Sequence, residues 1–212
     1  MIDKGGLGMV RISKEPEERR SEILDIAKEL FRTKGYDLTT TNEIIERIGI
    51  ARGTLYYYFK TKDDILNAVI DRMTEEGANQ LKEIVYNGNL NAIDKLKLIV
   101  AHGSEVIDED AKDFEYFHKK GNEVLHLRSL IQSVKTYTPL LEEILHQGVE
   151  EGLFHTEFTN EYSEFVLIIS SFLFDDEIFP MSKELHDKKL RALGKMMEVT
   201  LRAQEGTFNF MK

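Results

Sequence analysis

The sequence predicts an all-α protein of about nine helices, in which a small N-terminal helix-turn-helix unit precedes a larger helical domain. The chain of 212 residues contains only three prolines, and no segment alternates apolar and polar residues over the length of a strand. Apolar residues instead recur at helical spacing, beginning with Ile23, Ala27 and Leu30. We expect a flexible Gly-rich arm over residues 1–14, the helix-turn-helix domain over 15–62 and the larger domain over 63–212.

Composition restricts the class of protein. Hydrophobic residues make up 42% of the chain, the formal net charge is −10, and cysteine is absent. The first residues lack the apolar run of a secretory signal, and the longest apolar run, Phe165 to Phe174, has about half the length that spans a bilayer. We therefore expect a soluble protein of the cytoplasm with no membrane partner.

The first helix begins near a proline and ends at a glycine. Pro16 suits the first turn of a helix, which we expect over residues 17–34, and Gly35 is a natural C-cap. A second helix of about two turns follows Thr40. Glu43 stands three residues after Thr40, a spacing typical of a reciprocal capping box.

The third helix is short, from about Arg52 to Phe59, and a long fourth helix begins after it. Thr61 and Asp64 form a second capping-box pattern at the start of this fourth helix. Three compact helices, of which the second and third are short and joined by a tight Gly-containing turn, are typical of a helix-turn-helix DNA-binding unit.

The larger domain should contain five further helical segments. The third of them opens at Pro139, capped by Thr138, and closes at Gly152. The fourth has apolar residues on nearly every side, which predicts a central helix or one buried by a second subunit. The expected bounds are Asn91–Asp108, Ala111–Lys135 with an interruption near Gly121, Pro139–Glu151, Asn160–Phe179 and Lys183–Ala203.

Charge is divided unequally between the two parts of the chain. Residues 1–62 contain twelve Lys and Arg against ten Asp and Glu, a net of +2, whereas the remaining 150 residues contain sixteen against twenty-eight, a net of −12. Because binding to phosphates needs local positive charge, an anionic partner such as nucleic acid should meet the N-terminal domain.

Three consecutive tyrosines lie on the third helix, and a helical wheel separates their positions. Leu55 and Phe59 form the core face, and Tyr57 and Gly53 lie opposite it. Tyr58 turns partly towards the core, where packing against neighbouring helices explains it. The outer face combines a phenolic hydroxyl, which donates to phosphate oxygens, with a glycine that lets a surface approach the backbone. We interpret it as a binding face.

Basic residues flank this face. Arg52 opens the third helix, where side chains of a recognition helix reach base edges, and its guanidinium can bind O6 and N7 of guanine together. Lys60 and Lys62 bracket the start of the fourth helix, where two ammonium groups and helix-end N–H groups suit a phosphate. The alternative for all three residues is an ordinary solvated charge.

The segment ILDIAKELFRTKGYDLTTTNEIIERIGIARGTLYYYFKTKDDIL resembles the DNA-binding signature of the TetR family of transcriptional regulators over about residues 20–70. The resemblance implies DNA contacts at the start of the second helix, on the third helix and at the start of the fourth. Ala51 stands where the family often has a serine that caps the third helix, so that hydroxyl is missing here. Carried over by position, the implied contacts are Thr40, Thr41, Asn42, Arg52, Thr54, Tyr56, Tyr57, Tyr58 and Lys62.

The remainder of the chain resembles the family in its architecture and in the segment HQGVEEGLF. The resemblance implies a ligand-binding domain that receives a small-molecule inducer of apolar or mixed character and dimerises through its last two helices. It also implies a homodimer on a palindromic operator in double-stranded DNA, with recognition helices about one DNA turn apart. A repressor that the inducer releases is the expected function, and no cofactor is expected.

Candidate inducer contacts combine aromatic and polar side chains of the middle helices that are able to line an apolar cavity. Ordinary core or surface positions explain each of them equally well. For dimerisation, apolar positions on the last two helices suit a two-fold bundle. The inducer candidates are His102, Phe114, Phe117, His126, Tyr137 and Phe165. The dimer candidates are Phe165, Ile169, Leu173, Leu190, Leu193, Met197 and Leu201.

Three Glu-x-x-His pairs offer an alternative function, a metal-binding helical bundle. This spacing places both side chains on one helix face and is used in carboxylate-bridged di-iron bundles, although such pairs also arise by chance in a Glu-rich segment. A third possibility is a protein-interaction module that uses the exposed aromatic rings. An enzyme is not expected, because the chain has no cysteine nucleophile and no serine in a G-x-S-x-G setting. The pairs are Glu115/His118, Glu123/His126 and Glu143/His146.

Overall fold

A computed structural model describes residues 15–109, 121–176 and 178–211 of the chain. This part consists of eight α-helices and their connections and contains no strand, which confirms the predicted all-α class. The predicted arm over residues 1–14 lies outside it. In chain order the helices are α1 (Pro16–Lys34), α2 (Thr41–Ile48), α3 (Arg52–Tyr58), α4 (Lys62–Val85), α5 (Ala92–Glu109), α6 (Glu123–Glu150), α7 (Thr159–Leu173) and α8 (Lys183–Thr200).

The first two helices end and begin where the sequence provides caps. Helix α1 ends at Gly35, whose φ of +93° favours glycine and whose N–H donates to the carbonyl of Phe31 at 2.9 Å. At α2, the Thr40 hydroxyl accepts from the N–H of Glu43 at 3.2 Å. The Glu43 carboxylate binds the Lys34 ammonium at 2.7 Å. The bond to Lys34 and, to a smaller extent, the backbone of Thr40 lower the pKa of Glu43. The hydroxyl half of the predicted reciprocal box is therefore formed, while Lys34 is the main partner of the Glu43 carboxylate.

Helix α4 opens with the second predicted capping box, and this one is complete. The Thr61 hydroxyl accepts from the N–H of Asp64 at 3.0 Å, and the Asp64 carboxylate accepts from the N–H of Thr61 at 2.8 Å. The box fixes the start of α4 immediately after α3. Residues 59–61 alone connect the two helices, so the position of α3 depends closely on that of α4.

Two hydrophobic cores share helix α4. Its first half packs with α1, α2 and α3, and its second half packs with the C-terminal helices. Leu125, near the start of α6, joins the first core and is fully buried there. Each fully buried side chain of this size contributes roughly 1.5–3 kcal/mol to stability. In the first core these include Ile23, Leu24, Phe31, Ile44, Leu55, Ile65 and Leu66, and in the second core Ile144, Leu145 and Phe154.

Helix α6 runs without a break through Pro139, so the prediction that a new helix opens there is wrong. Proline inside a helix costs roughly 3 kcal/mol because it removes a backbone donor and crowds the preceding turn. Burial of Leu140 and Ile144 just beyond it offsets that cost, at roughly 1.5–3 kcal/mol each. The Thr138 hydroxyl does not cap a helix but donates to the carbonyl of Val134 at 2.7 Å.

Helix α7 ends at Leu173 rather than at the predicted Phe179. Asp175 accounts for the early end. Its carboxylate accepts from the N–H of Ile178 at 3.0 Å, and its carbonyl accepts from the N–H of Phe179 at 2.8 Å. An Asp side chain that bonds the backbone ahead of it competes with helical hydrogen bonds, so the chain turns here before α8 begins.

We predict that Gly148→Ala lowers the free energy of unfolding by about 1–3 kcal/mol. Gly148 lies on α6, and a Cβ placed there would come within 2.2 Å of the ring of Phe154, which is 1% exposed in the second core. Urea unfolding followed by circular dichroism measures the change. Gly88→Ala is the control, because nothing lies within 4 Å of a Cβ at that position. Equal losses in both variants would contradict the prediction.

Candidate nucleic-acid interface

Helix α3 presents one face to the first core and the opposite face to solvent. Leu55 is fully buried and Phe59 is 5% exposed, whereas Tyr57 is 75% exposed. The outward position predicted for Tyr57 is confirmed. A Cβ added to Gly53, one turn away, would meet nothing within 4 Å, so the backbone there is open. Tyr58 is half-buried against the first core, and its ring meets the Tyr57 ring edge-on at a centroid distance of 5.0 Å.

Arg52, Tyr56 and Thr41 form a polar cluster that joins α3 to the start of α2. The Arg52 guanidinium carbon lies 5.5 Å from the centroid of the Tyr56 ring, and the Tyr56 hydroxyl lies 3.4 Å from the Thr41 hydroxyl. Hydrogen bonding with Thr41, and then with Arg52, holds the pKa of Tyr56 below its ordinary value. The cluster restricts the Arg52 side chain while leaving it exposed.

The start of α2 adjoins this cluster. Thr40 and Asn42 are exposed, and Thr41 is half-buried. The Thr40 hydroxyl accepts the capping hydrogen bond, which leaves its own proton for donation. A helix N-terminus also concentrates backbone donors and partial positive charge. Helix α3 has no such cap from Ala51, as its sequence predicted, and Thr54 is half-buried on its flank.

Lys62 binds the backbone rather than projecting into solvent. Its ammonium donates to the carbonyls of Tyr36, Thr39 and Asp37 at 2.8, 3.0 and 3.4 Å, and it lies 4.1 Å from the centroid of the Tyr36 ring. These carbonyls belong to the connection between α1 and α2. The predicted phosphate contact of Lys62 stays a prediction, and in this geometry the ammonium holds the loop that leads into α2. The neighbouring Lys60 is exposed and donates to one carbonyl of α3 at 2.8 Å.

A polar junction connects this surface with the C-terminal helices. The Tyr36 hydroxyl donates to one oxygen of Asp63, and the guanidinium of Arg128 on α6 lies 3.3 Å from the other. Hydrogen bonding to Tyr36, and then to Arg128, lowers the pKa of Asp63. Burial, followed by the bond to Asp63, raises the pKa of Tyr36. The carboxylate therefore stays ionised and the phenol protonated at neutral pH.

Asn122, immediately before α6, is fully buried and binds the end of α1. Its Oδ1 accepts from the N–H of Tyr36 at 2.7 Å, and its Nδ2 donates to the carbonyl of Phe31 at 3.2 Å. The carbonyl of Gly121 accepts from the N–H of Asp37 at 3.3 Å. One amide thus satisfies backbone groups where α1 ends and ties α6 to the helix-turn-helix unit. Sequence reasoning missed Asn122, because these partners lie 86 and 91 positions away.

Two of the predicted inducer contacts lie among the C-terminal helices. His126 is 8% exposed, and its Nε2 lies 2.8 Å from the Asp175 carboxylate. Burial raises the pKa of the Tyr137 hydroxyl, which faces α4 so closely that a Cβ on Gly77 would lie 2.6 Å from it. Phe165 is instead 52% exposed on the outer side of α7. Phe114, Phe117 and the side chain of His102 lie outside the described residues.

Two of the Glu-x-x-His pairs lie within the described residues, and the histidine of each contacts a carboxylate outside its own pair. Glu123 accepts from a backbone N–H at 3.0 Å, while His126 faces the carboxylate named above. His146 lies 3.7 Å from Glu150 on an exposed surface. Across residues 15–109, 121–176 and 178–211, no group of three or more His, Cys, Asp or Glu side chains is placed to hold a metal ion. The pair Glu115/His118 lies outside these ranges.

Apolar side chains remain exposed along α7 and α8. The prediction that Leu193, Met197 and Leu201 form a dimer contact is wrong, because they are at most 5% exposed and complete the second core of the subunit. Ile169 and Leu190 pack partly against the same core. We call the exposed set the outer stripe. It consists of Phe165, Ile168, Leu173, Leu185, Met196 and Val199.

The length and polarity of the helices decide whether any of them could cross a membrane. No helix in the described part of the chain is both long enough and apolar enough to cross a bilayer.

Two family models match the chain. Residues 23–69 match the model described as "Bacterial regulatory proteins, tetR family", and this range covers most of α1, all of α2 and α3, and the start of α4. Residues 105–196 match the model described as "Tetracyclin repressor-like, C-terminal domain". The two matches fall on the two parts of the chain that the charge distribution and the two cores distinguish.

Comparisons with individual proteins agree with these models. The HTH-type transcriptional repressor KstR2 of Rhodococcus jostii (strain RHA1) is 28% identical over 145 residues, which cover 66% of this chain and 69% of that protein. The uncharacterized HTH-type transcriptional regulator YfiR of Bacillus subtilis (strain 168) is 35% identical over 72 residues, but the match spans only 34% of this chain and 35% of YfiR. The solved structure of SmeT, the repressor of the Stenotrophomonas maltophilia multidrug efflux pump SmeDEF, shares the fold. Its TM-score is 0.64 at 19% identity, over 89% of this chain and 92% of SmeT.

Proposed function

Because this chain belongs to the TetR family of transcriptional regulators, we propose that it is a ligand-responsive repressor that binds a palindromic operator as a homodimer. In this proposal α3 of each subunit enters the major groove of double-stranded DNA, and a small molecule bound among the C-terminal helices releases the protein. The observation that carries the proposal is the open outer face of α3. Arg52, Gly53 and Tyr57 lie there without cover from the rest of the described chain.

The residues of this face divide into base-reading and phosphate-binding groups. Arg52 stands at the start of α3 with a restricted side chain, so its guanidinium is the proposed base contact. The hydroxyls of Tyr56 and Tyr57 are proposed to donate to phosphates. At the start of α2, the side chains of Thr40, Thr41 and Asn42 adjoin the helix-end N–H groups, and this combination suits another phosphate. Thr54 and Tyr58 complete the flanks of α3.

We predict that Arg52→Ala costs roughly 1–3 kcal/mol on the operator and relaxes sequence preference at one base pair, because a bidentate contact to guanine is lost. Selection from random duplex DNA at low salt first recovers the operator, and fluorescence anisotropy then compares operator with random DNA. Arg191→Ala, an exposed arginine on α8, is the matched control. Failure to recover any palindrome would contradict the proposed function. Equal loss on both DNAs would make Arg52 a phosphate contact instead.

We predict that Gly53→Ala stabilises the fold by about 0.5–1 kcal/mol and yet lowers operator affinity at least tenfold. Alanine is the better helix former, and nothing lies within 4 Å of the added methyl group in the chain itself. The methyl group would instead stand between the α3 backbone and the DNA. Urea unfolding and operator titration measure the two effects separately. Unchanged operator affinity would show that DNA does not approach α3 at this point.

The outer stripe supports a homodimer. Its six side chains are 39–77% exposed in the single chain, and apolar side chains left exposed on two helices suit cover by a second subunit. A second copy of α7 and α8 placed by a two-fold axis forms a four-helix bundle that covers the stripe on both subunits. Such a dimer sets the distance between its two α3 helices, which a palindromic operator must match.

We predict that Val199→Glu dissociates the dimer at micromolar concentration and with it abolishes tight operator binding. Val199 is 77% exposed in the single chain, so the subunit fold tolerates the change, but a carboxylate in an apolar contact is costly. Analytical ultracentrifugation measures the mass. Gln80→Glu adds the same charge at an exposed position of α4 and should leave the dimer intact. A Val199→Glu protein that remains dimeric would exclude this residue from the interface.

Release of DNA is proposed to begin between α4 and α6, which pack along each other. The Tyr137 hydroxyl faces Gly77 there and has no hydrogen-bond partner in the described part of the chain, which suits a polar group of the inducer. A molecule that separates the two helices would tilt α4 and move the start of α6. Asn122 and Arg128 carry that movement to the helix-turn-helix unit, and the spacing of the two α3 helices changes.

A further inference from the structure

We propose that a cavity beside the C-terminal end of α8 binds a small organic anion, a carboxylate attached to an apolar body. The cavity has a volume of about 340 Å³, within the range of sites that hold small molecules. It forms where the connection between α6 and α7 meets the residues that follow α8. These elements belong to the second core, and the site is separate from the α3 face.

Arg202, which lines this cavity, occupies a backbone position where glycine is the ordinary residue. It follows α8 with a φ of +48°, in the left-handed region that disfavours side chains with a Cβ. The N–H groups of Arg202 and Ala203 donate to carbonyls of the last turn at 3.3 and 2.9 Å, the pattern of a Schellman cap. Gly49 and Gly152 occupy similar left-handed positions after α2 and α6, at φ +74° and +72°. An arginine in place of glycine indicates that the side chain itself is needed.

The Arg202 guanidinium also lacks a protein partner. No hydrogen bond or ion pair joins it to any described residue, although the chain carries a net charge of −10. On α8 itself, Lys195 by contrast pairs with Glu198 at 2.8 Å. A guanidinium that lines a cavity without a carboxylate from its own chain presents its fork of N–H donors to a carboxylate from outside.

The remaining walls suit an apolar body attached to that carboxylate. The rings of Phe158 and Tyr162 meet edge-on at a centroid distance of 6.0 Å and line one side. His155 lines another side, and its backbone N–H donates to the carbonyl of Leu201 at 2.8 Å, which holds the loop against the end of α8. Glu157 also lines the cavity, and its charge opposes an anion. Removing the charge of Arg202 should therefore weaken binding of an anion, and removing the charge of Glu157 should strengthen it.

Isothermal titration calorimetry of the whole protein tests the site with three probes, benzoate, 3-phenylpropanoate and octanoate. At least one should bind saturably with one site per chain, and its uncharged amide should bind at least tenfold more weakly, because the amide offers no charge to the guanidinium. The proposal is overturned if none of the three acids binds, or if acid and amide bind equally.

Variants separate a ligand contact from a structural role of Arg202. Arg202→Gln should weaken binding of the best probe at least tenfold, and Glu157→Gln should strengthen it. Arg202→Gly should weaken binding as much and yet raise the melting temperature by roughly 2–4 °C, because glycine relieves the left-handed backbone. Lys188→Gln, the same change of charge at an exposed position on α8, should leave binding unchanged. Full affinity in either Arg202 variant, or an equal loss in Lys188→Gln, contradicts the assignment.

Discussion

A single helix, α4, completes two hydrophobic cores, and the rest of the structure depends on this shared helix. Ile65, Leu66 and Val69 close the core of the helix-turn-helix unit, whereas Ala78 and Val85 belong to the C-terminal core. Since α4 is one continuous helix of 24 residues, a tilt of its second half is carried directly into its first half. Helix α3 is attached to α4 through residues 59–61. Its orientation therefore follows whatever the C-terminal core imposes on α4.

The junction between α6 and the helix-turn-helix unit combines polar contacts with one apolar contact. Each hydrogen bond of Asn122 contributes about 0.5–1.5 kcal/mol net, and the half-exposed ion pair of Arg128 with Asp63 contributes about 0–1 kcal/mol. Leu125 adds an apolar contact of roughly 1.5–3 kcal/mol. Contacts of this total strength favour one arrangement of the helix-turn-helix unit relative to the C-terminal helices. A ligand that binds a second arrangement more tightly by a few kcal/mol is able to shift the protein into it. Such a junction suits a regulator that must change state, whereas one merged core would resist the change.

Features that depend on neighbours a few positions apart were predictable from the sequence, and those that depend on distant partners were not. The outward position of Tyr57 follows from the helical period alone. The ammonium of Lys62 binds carbonyls 23–26 positions away, which no local pattern reveals. Periodicity identifies the apolar side of a helix but not what covers it. The pattern therefore predicts that Leu193 and Met197 contact a partner subunit, whereas they complete the core of their own subunit. At Pro139, tertiary burial overrides the local preference for a helix start.

The unequal charge distribution has a consequence for how this fold recognises DNA. Residues 1–62 carry a net charge of only +2, and the rest of the chain carries −12. Screening at physiological salt limits the repulsion between the acidic domain and phosphates to about 8 Å, so it does not prevent contact at α2 and α3. A weak positive charge, however, gives little affinity for random DNA, because nonspecific binding comes almost entirely from phosphate neutralisation. In the proposed complex, discrimination then rests on a few directed groups, above all Arg52 and the hydroxyls around it. The cluster of Arg52, Tyr56 and Thr41 restricts those groups in the free protein, and under this proposal such restriction matters more than it would in a strongly basic protein.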